Sequence, residues 1–406
     1  MGPLIRALAR HKVIVGLIIF EVAACFVLTG NGGALILNKI SLMSQVTLPP
    51  NPENLYVIDS GDEGAVESAI QANAAARRDL ASLDMLLQGN GSAGQINSVP
   101  AGSQMQTVSL SLVSHSRRAA VEDVAVYLGT KGALEALKLE IVSGRGLTED
   151  DATPYSNDSS EILGQAVLIT NSLKAELFGN ESAVGKVLFY GDNGLNQATI
   201  VGVVRDISKP IIDSSGNSNL CVIRMAEPFA GGFYLVRNER SDQQFVDSLR
   251  EALMSNDSSR TSVVVKSLER TTSDYFRYER ALAQLLTVVL AAVLVVCVIG
   301  VSGITSYWIR QRSKSIGIRR ALGATKAQIF MHFALESTLV VGGGVFLGCL
   351  GYFATSNILV ARFGLPSLGL DEILILALAF EVVCLASIAK SVSVASNMSP
   401  MDAVRL

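Results

Sequence analysis

The sequence predicts a membrane protein with an α-helical, four-span transmembrane domain and a large α+β domain on one side of the membrane. Four segments are apolar and long enough to cross a hydrocarbon layer of about 30 Å at about 1.5 Å per helical residue. One long polar stretch separates the first of these segments from the second. Basic residues collect beside the apolar segments and indicate their orientation. These observations predict one helix, a large soluble insert and then three helices.

The apolar segments, which cover residues 13–37, 281–308, 330–360 and 373–394, set the predicted domain boundaries. The predicted domains are a cytoplasmic segment with the first transmembrane helix (1–40), a soluble domain (41–279) with an inserted β-rich subdomain (131–228), a second transmembrane helix with an outer stalk (280–308), a short cytoplasmic helix (309–328), a third transmembrane helix (329–360), a short outer loop (361–372), a fourth transmembrane helix (373–394) and a cytoplasmic tail (395–406). A cleaved signal peptide is the alternative for the first segment. Its apolar run is longer than usual, however, and residues 29–34 (TGNGGA) are a poor cleavage site.

Charge orients the predicted helices. Arg6, Arg10 and Lys12 precede or begin the first apolar segment, and the loop at residues 309–328 holds six basic residues and no acid. Short loops rich in Lys and Arg stay in the cytoplasm, so both termini are expected inside and the insert outside. Residues 41–279 carry 30 acidic against 19 basic side chains, which argues against nucleic acid as a partner.

The insert shows strand and helix patterns at both of its ends. The first unit comprises a strand over 54–59, a helix over 62–88 and a strand over 106–114. The second comprises a strand over 232–237, a helix over 242–254 and a strand over 262–266. Between them lie β-strand segments at 166–170, 186–190, 198–204 and 220–225. We expect an α/β layer built from both ends of the insert, with a β-rich subdomain inserted into it.

The sequence contains no clear catalytic or metal-binding pattern. The string at residues 179–187 (GNESAVGKV) has five residues between its glycines and Val where a phosphate loop has Ser or Thr, so a turn before a strand is favoured. The three histidines are scattered, and four of the five cysteines lie in apolar segments, where cysteine acts as a small hydrophobe. We therefore expect a non-catalytic chain with no cofactor or metal of its own.

Three acids and several glycines lie inside the apolar segments. Glu21, Glu336 and Glu381 each carry a cost of about 2.5–3.5 kcal/mol if charged and unpaired at a membrane centre. They are candidates for a proton relay or substrate contact, or for structural acids that are protonated or hydrogen-bonded. Gly344 and Gly348 form a small-xxx-small pair, which predicts close helix packing.

The loop at residues 309–328 combines positive charge, apolar residues and glycine. An interfacial helix that binds anionic lipid would account for its charge and its apolar side chains. Gly317 and Gly323 argue for more than an anchor, because glycine weakens a helix and permits sharp turns or close backbone approach. The pattern predicts a docking elbow on the cytoplasmic face.

Residues 313–330 (SKSIGIRRALGATKAQIF) resemble the loop between the second and third spans of the MacB/FtsX-like permeases of type VII ABC transporters. Residues 143–151 (SGRGLTEDD) and 166–206 resemble the MacB-type periplasmic core domain, and residues 399–406 (SPMDAVRL) are similar to the closing motif of the family. The chain departs from the family after the last span, where residues 389–393 read AKSVS and are less basic than usual. Glu21 is also not expected of MacB itself and indicates a subgroup.

The resemblance implies a location in the bacterial inner membrane, a porter-like subdomain and a set of partners. A separate ABC ATPase, in two copies, would carry ATP and Mg and bind the short coupling helix. A second copy of the permease or a paralogous permease would complete the assembly. A periplasmic adaptor, a TolC-type outer-membrane channel and membrane lipid are further partners. The implied ATPase-coupling residues are Arg312, Lys314, Ile316, Gly317, Ile318, Arg319, Arg320, Leu322, Gly323 and Ala324.

The resemblance implies a mechanical mode of action. ATP-driven closure would be carried along the second helix to the periplasmic domain, for export or extraction of a substrate such as an antibiotic, peptide or lipoprotein. The alternative is an FtsX-like signalling scaffold that activates a periplasmic hydrolase or senses antimicrobial peptides. A receptor without ATP coupling is a third hypothesis, and the intact GIRRALGAT string argues against it.

Overall fold

The computed structural model describes residues 12–61, 69–102, 104–116, 118–155, 162–191, 194–212, 217–239, 243–257, 260, 262–312, 318–319, 322–363 and 365–397. The helices are α1 (Lys12–Ser44), α2 (Ala69–Leu87), α3 (Lys131–Leu137), α4 (Asn171–Phe178), α5 (Gln243–Asn256), α6 (Leu268–Tyr275), α7 (Arg277–Gln311), α8 (Lys326–Phe363) and α9 (Leu370–Asn397). The strands are β1 (Leu55–Asp59), β2 (Ser92–Ile96), β3 (Thr107–Leu110), β4 (Val121–Gly129), β5 (Ile141–Gly144), β6 (Ala166–Thr170), β7 (Val187–Tyr190), β8 (Asn196–Val204), β9 (Cys221–Met225), β10 (Phe233–Arg237) and β11 (Val264–Ser267). The chain divides into two compact units, residues 1–41 with 279–406 and residues 42–278.

The first unit contains the four long apolar helices α1, α7, α8 and α9. By length and composition, membrane-crossing segments lie at Lys12–Ser44, Arg277–Gln311, Lys326–Arg362 and Leu370–Ala389. With the mixed α/β unit between the first and second of these helices, they confirm the predicted class of a four-span membrane protein with a large α+β domain.

Helix α1 runs antiparallel to α7, as two contacts between them show. Toward one end, a Cβ atom on Gly300 would lie 1.8 Å from Glu21 Oε1, so the carboxyl group lies against the Gly300 backbone and would have to move if a side chain were present there. Toward the other end, Lys39 Nζ lies 2.7 Å from Glu279 Oε2. One helix therefore rises where the other descends, as consecutive membrane spans do.

Helix α1 runs parallel to α8 and contacts it through glycine. A Cβ on Gly344 would lie 2.7 Å from Val22 Cγ1, and one on Gly348 would lie 2.8 Å from Phe26 Cβ. Further along, Asn31 Nδ2 donates a hydrogen bond of 3.1 Å to Thr355 Oγ1. The absence of side chains on the glycines lets the two backbones approach closely, as small residues do between membrane helices.

The second unit is organised around one 11-stranded sheet with the order β11-β1-β10-β2-β4-β9-β6-β8-β5; β3 also pairs with β4, and β7 with β8. Its first four strands are antiparallel and come from both ends of the insert, as the sequence predicted. Helices α2 and α5 cover one face of these strands, where Tyr56 and Phe245 meet edge to face with ring centroids 5.6 Å apart. The amphipathic periods of the two helices place Leu83 and Leu249 in this core.

Six of the remaining strands close into a small barrel, and β5 pairs with β8 outside that circle. Strand β3 pairs with β4, and β7 pairs with β8. Ser111, directly after β3, bridges Phe189 in β7 through backbone hydrogen bonds of 2.8 and 2.9 Å. The circle β4-β9-β6-β8-β7-β3 is thereby complete, and its apolar side chains form one core. The β-rich subdomain was predicted to begin at Lys131, but the first strand of the barrel, β3, begins at Thr107.

Several elements differ from the sequence-based expectation. The strand predicted over 106–114 ends at Leu110, because Ser111 turns the chain through hydrogen bonds between its side chain and the backbone of Val113. Strands β2, β4 and β5 and helices α3 and α4 were not predicted. The start of the helix predicted over 62–88 lies outside the described residues, which show α2 from Ala69.

A buried ion pair ties α2 to the chain after α5. The side chains of Asp79 and Arg260 are each 1% exposed. Arg260 Nη1 donates to Asp79 Oδ1 at 3.2 Å, and Nη2 donates to Oδ2. The Tyr234 hydroxyl and Asn256 Nδ2 donate to the same carboxylate at 2.7 and 3.0 Å. These donors compensate the carboxylate for the hydration that it loses on burial.

A second carboxylate stabilises the short 3₁₀ helix at Glu149–Asp151. Thr148 and Asp151 form a capping box, in which the backbone N–H of Thr148 donates to Asp151 Oδ2 at 2.9 Å. Arg145 donates two hydrogen bonds to Asp151, of 2.5 and 2.9 Å. The hydrogen bonds from Arg145, with those from Thr148, hold the pKa of Asp151 well below its usual range.

Candidate coupling site

The predicted coupling residues lie between the end of α7 and the start of α8. Six of them fall within the described part of the chain: Arg312, Ile318, Arg319, Leu322, Gly323 and Ala324. The other four, Lys314, Ile316, Gly317 and Arg320, lie outside the described residues. Among the described residues, Ile318, Arg319 and Leu322 form an exposed group. Arg312, together with the residues that it contacts, forms an anchored group.

The exposed group presents apolar side chains beside a cation. Ile318 is 59% exposed and Leu322 is 83% exposed, while Arg319 lies exposed between them in sequence. The N–H of Leu322 donates to the carbonyl of Ile318 at 3.0 Å, which gives this segment one helical turn. Large apolar side chains this exposed indicate a surface that is covered by lipid or by another protein.

Gly323 ends this turn with a φ of +97°, a backbone conformation that L side chains rarely adopt. Directly after it, Ala324 is half-buried against the core of the helical unit. Thr325 and Gln328 then cap α8 reciprocally, with hydrogen bonds of 3.0 and 3.2 Å between side chain and backbone N–H. Gly323 therefore marks the change from the exposed group to the helix.

The anchored group centres on an ion pair that the sequence did not indicate. Arg312 Nη1 lies 2.9 Å from Glu336 Oε2, and the Glu336 side chain is completely buried. The Arg312 guanidinium also stacks over the Trp308 ring, 4.6 Å from its centroid. His332, one turn before Glu336 on α8, places Nε2 3.6 Å from Glu336 Oε1. Glu336, predicted as an intramembrane acid, and Arg312, predicted as an ATPase contact, thus meet each other.

The other two acids do not join this cluster. Glu21 Oε2 is buried and has no hydrogen-bond partner among the described residues, and its Oε1 faces Gly300. Glu381 is half-buried, and its Oε1 would lie 3.5 Å from a Cβ on Gly342. Among the described residues, no group of three or more His, Cys, Asp or Glu side chains is arranged to hold a metal ion.

The sequence matches two family models that together cover most of the chain. The MacB-like periplasmic core domain matches residues 18–269, and the FtsX-like permease C-terminal domain matches residues 287–400. The first match alone covers more than half of the chain and overlaps the sheet-containing unit. The second contains the exposed turn and the Arg312–Glu336 pair.

Curated proteins give the same relationship at low identity. The chain is 27% identical over 218 residues to the macrolide export ATP-binding/permease protein MacB of Chromobacterium violaceum, a match that covers 50% of this chain and 32% of that protein. It is 25% identical over 283 residues to the ABC transporter permease YvrN of Bacillus subtilis, covering 66% of each. The chain thus spans about a third of the length of the MacB relatives that it matches.

Two solved domains are similar to parts of the chain. The periplasmic region of MacB from Actinobacillus actinomycetemcomitans matches with a TM-score of 0.35 and 15% identity, covering 54% of this chain and 92% of that one. The extracellular domain of the noncanonic ABC-type transporter YknZ matches with a TM-score of 0.34 and 16% identity, covering 52% and 100%. On the strength of the two family matches, the chain belongs to the MacB/FtsX-like permeases of ABC transporters, with a MacB-like periplasmic core domain and an FtsX-like permease domain.

Proposed function

We propose that this chain is the non-catalytic permease subunit of an ATP-driven mechanotransmission transporter of the bacterial inner membrane. A separate ABC ATPase, present in two copies, carries ATP and Mg and docks on the coupling segment. The movement of the ATPases is converted into a conformational change of the periplasmic domain. That change drives export or extraction of a substrate such as an antibiotic, peptide or lipoprotein.

The observation that carries this proposal is the exposed turn around Arg319. Ile318 and Leu322 are too exposed for a structural role within the chain, and Gly323 gives the turn a backbone shape that other residues resist. A lipid anchor would use the same charge and apolar residues but would not need Gly323. A protein surface that receives the turn accounts for all three features.

The charge of the 309–328 loop and its position between α7 and α8 support a cytoplasmic position for this turn. Helices α7 and α8 flank it, and the basic residues of the 309–328 loop have no acidic neighbours in that loop. Such a loop stays in the cytoplasm, where an ATPase would meet it. Both termini then lie in the cytoplasm.

A second copy of this chain or a paralogous permease completes the pair that two ATPases require. A periplasmic adaptor with a TolC-type channel extends the export route.

The proposal is tested by purifying the tagged full chain from its native membrane in mild detergent and identifying the co-purified proteins by mass spectrometry. We expect an ABC ATPase in stoichiometric amount, and its ATP hydrolysis should rise when the permease is reconstituted with it. The variant Leu322→Glu should no longer bind the ATPase, while the chain stays in the membrane. A folded wild-type chain that never retains an ATPase would refute the proposal, whereas an ATPase together with a periplasmic hydrolase would favour the signalling scaffold.

A further inference from the structure

The end of α7 is tied to α8 by a contact that the proposed docking turn does not explain. Arg312 is the last described residue before the segment at 313–317, and its side chain is only 15% exposed. Its guanidinium is held between the Trp308 ring of α7 and the Glu336 carboxylate of α8. A cation that serves only to attract lipid or a partner would stay in water, because burial of a charge is costly.

We propose that Arg312 and Glu336 are positioning residues that fix the start of the coupling segment to α8, so that α7 and α8 respond together when the segment is pushed. This inference rests on the proposed function, since it concerns how the docked ATPase moves the helices. Neither residue needs to touch the ATPase. Their role is to set the direction in which the chain leaves α7.

The geometry attaches the segment at both of its ends. At the α8 end, Ala324 packs on the helical core and Thr325 caps the helix together with Gln328. At the α7 end, Ile309 is buried in the same core, and the Arg312–Glu336 pair is the polar attachment next to the segment. If this pair were absent, a force on the exposed turn would still act directly on α8, but it would reach α7 only through the chain and the apolar contacts of Ile309.

The identity of the two side chains fits this role. Arginine is planar, so it stacks on Trp308 while directing N–H groups at the carboxylate, which fixes its orientation as well as its position. Glu336 is completely buried, so solvent screens the pair little. His332, which is one-third exposed, places Nε2 3.6 Å from the other carboxylate oxygen.

The test is a set of variants in the reconstituted full chain with its co-purified ATPase. Glu336→Gln leaves Arg312 without its carboxylate and could unfold the helix ends for that reason alone. The double variant Arg312→Gln, Glu336→Gln removes both charges and avoids this penalty, so it separates positioning from folding. Arg310→Gln is the matched control, because Arg310 lies on the same last turn of α7 but is exposed.

We expect the double variant to fold and to keep the ATPase bound, because the exposed turn is intact, but its stimulation of ATP hydrolysis should fall by about tenfold, within the usual range of coupling between sites. Trypsin cleavage after Arg319 should become faster even without the ATPase. Glu336→Asp, which keeps the negative charge, should stimulate ATP hydrolysis more than Glu336→Gln does. A folded double variant with wild-type stimulation and cleavage would overturn the inference. An equal loss in Arg310→Gln would also overturn it, since removal of any arginine from the last turn of α7 would then suffice. Loss of ATPase binding in every form of the chain would instead refute the proposed function.

Discussion

Replacing Gly348 with alanine should separate α1 from α8. The added Cβ would lie 2.8 Å from Phe26 Cβ and 3.0 Å from the nearest ring atoms, whereas carbon atoms pack best at about 3.5–4.0 Å. Gly344→Ala would create the same conflict, at 2.7 Å from Val22 Cγ1. The neighbouring Gly343 is a matched control in the same helix, because the nearest atom to its Cβ position is 3.8 Å away, at ordinary contact distance.

Comparison with Gly343→Ala allows the change in unfolding free energy to be estimated. Any Gly→Ala change in a helix brings a gain in helix propensity of up to about 1 kcal/mol, and this gain is common to all three variants. Overpacking of a close contact costs about 1–3 kcal/mol. The difference in unfolding free energy between Gly343→Ala and Gly348→Ala should therefore be about 1–3 kcal/mol, with Gly348→Ala the less stable.

The chain has a built-in probe for this measurement. Trp308 is its single tryptophan and is 1% exposed, so its fluorescence should change when the helical unit opens. Unfolding of the full chain by SDS in detergent micelles would be followed by this signal for each variant. If Gly344→Ala and Gly348→Ala are as stable as Gly343→Ala, the close α1–α8 contact is not the reason for glycine at these positions.

Three further predictions concern single contacts. Asp79→Ala should destabilise the soluble unit by about 3–5 kcal/mol, because it leaves the buried Arg260 without its carboxylate; thermal unfolding of the full chain measures this. Asp151→Asn should lower stability near pH 7 by about 1–2 kcal/mol. The pKa of Asp151 beside Arg145 is depressed in the folded state, so its contribution to stability is complete above the unfolded pKa of about 3.9. That contribution is lost progressively as the pH falls from there toward the folded pKa, and the difference from wild type should shrink over the same range. Gly323→Ala should cost about 1–3 kcal/mol of backbone strain at the turn and reduce the amount of co-purified ATPase.

Each of these predictions has a control and a contradictory outcome. Asp150 is exposed and adjacent to Asp151, so Asp150→Asn should leave stability and its pH dependence unchanged. A difference between Asp151→Asn and wild type that is as large at pH 2 as at pH 7 would exclude the ion pair as its source. An Asp79→Ala chain as stable as wild type would show that water or rearrangement compensates Arg260. Retention of the ATPase by Gly323→Ala would show that the positive φ is not needed for docking.

Local patterns predicted those elements of the soluble unit whose signal is contained in a few residues. Strand β6 was predicted at its observed bounds, because Ala166–Thr170 is a short apolar run buried throughout. Strand β4 was missed because Val121–Gly129 begins with exposed acids before its buried half. Closure of the barrel through Ser111 and Phe189 depends on residues far apart in the chain, which periodicity does not connect.

The candidate site was predicted as a segment but not as a geometry. Charge and glycine located the turn at Ile318 and Leu322, since these signals are local. The partnership of Arg312 with Glu336 was not foreseen, because it depends on how the end of α7 is aligned with α8. Considered separately, Arg312 resembles a cation that binds a partner protein, and Glu336 resembles an acid whose charge is costly inside a membrane. A basic residue just after one predicted span and an acid about two turns inside the next could have suggested the pair.

The order of strands in the sheet has a consequence for how the chain folds as it is made. Strand β1 pairs with β10 and β11, so its partners arrive only after residue 233 has been synthesised and translocated. All strands of the barrel lie between Thr107 and Met225 and arrive earlier. The barrel can therefore close first, which brings the ends of β2 and β10 toward each other and shortens the search that β1 must complete. Until then β1 is an apolar segment with unpaired backbone, and it is the part of the nascent domain most in need of protection from aggregation.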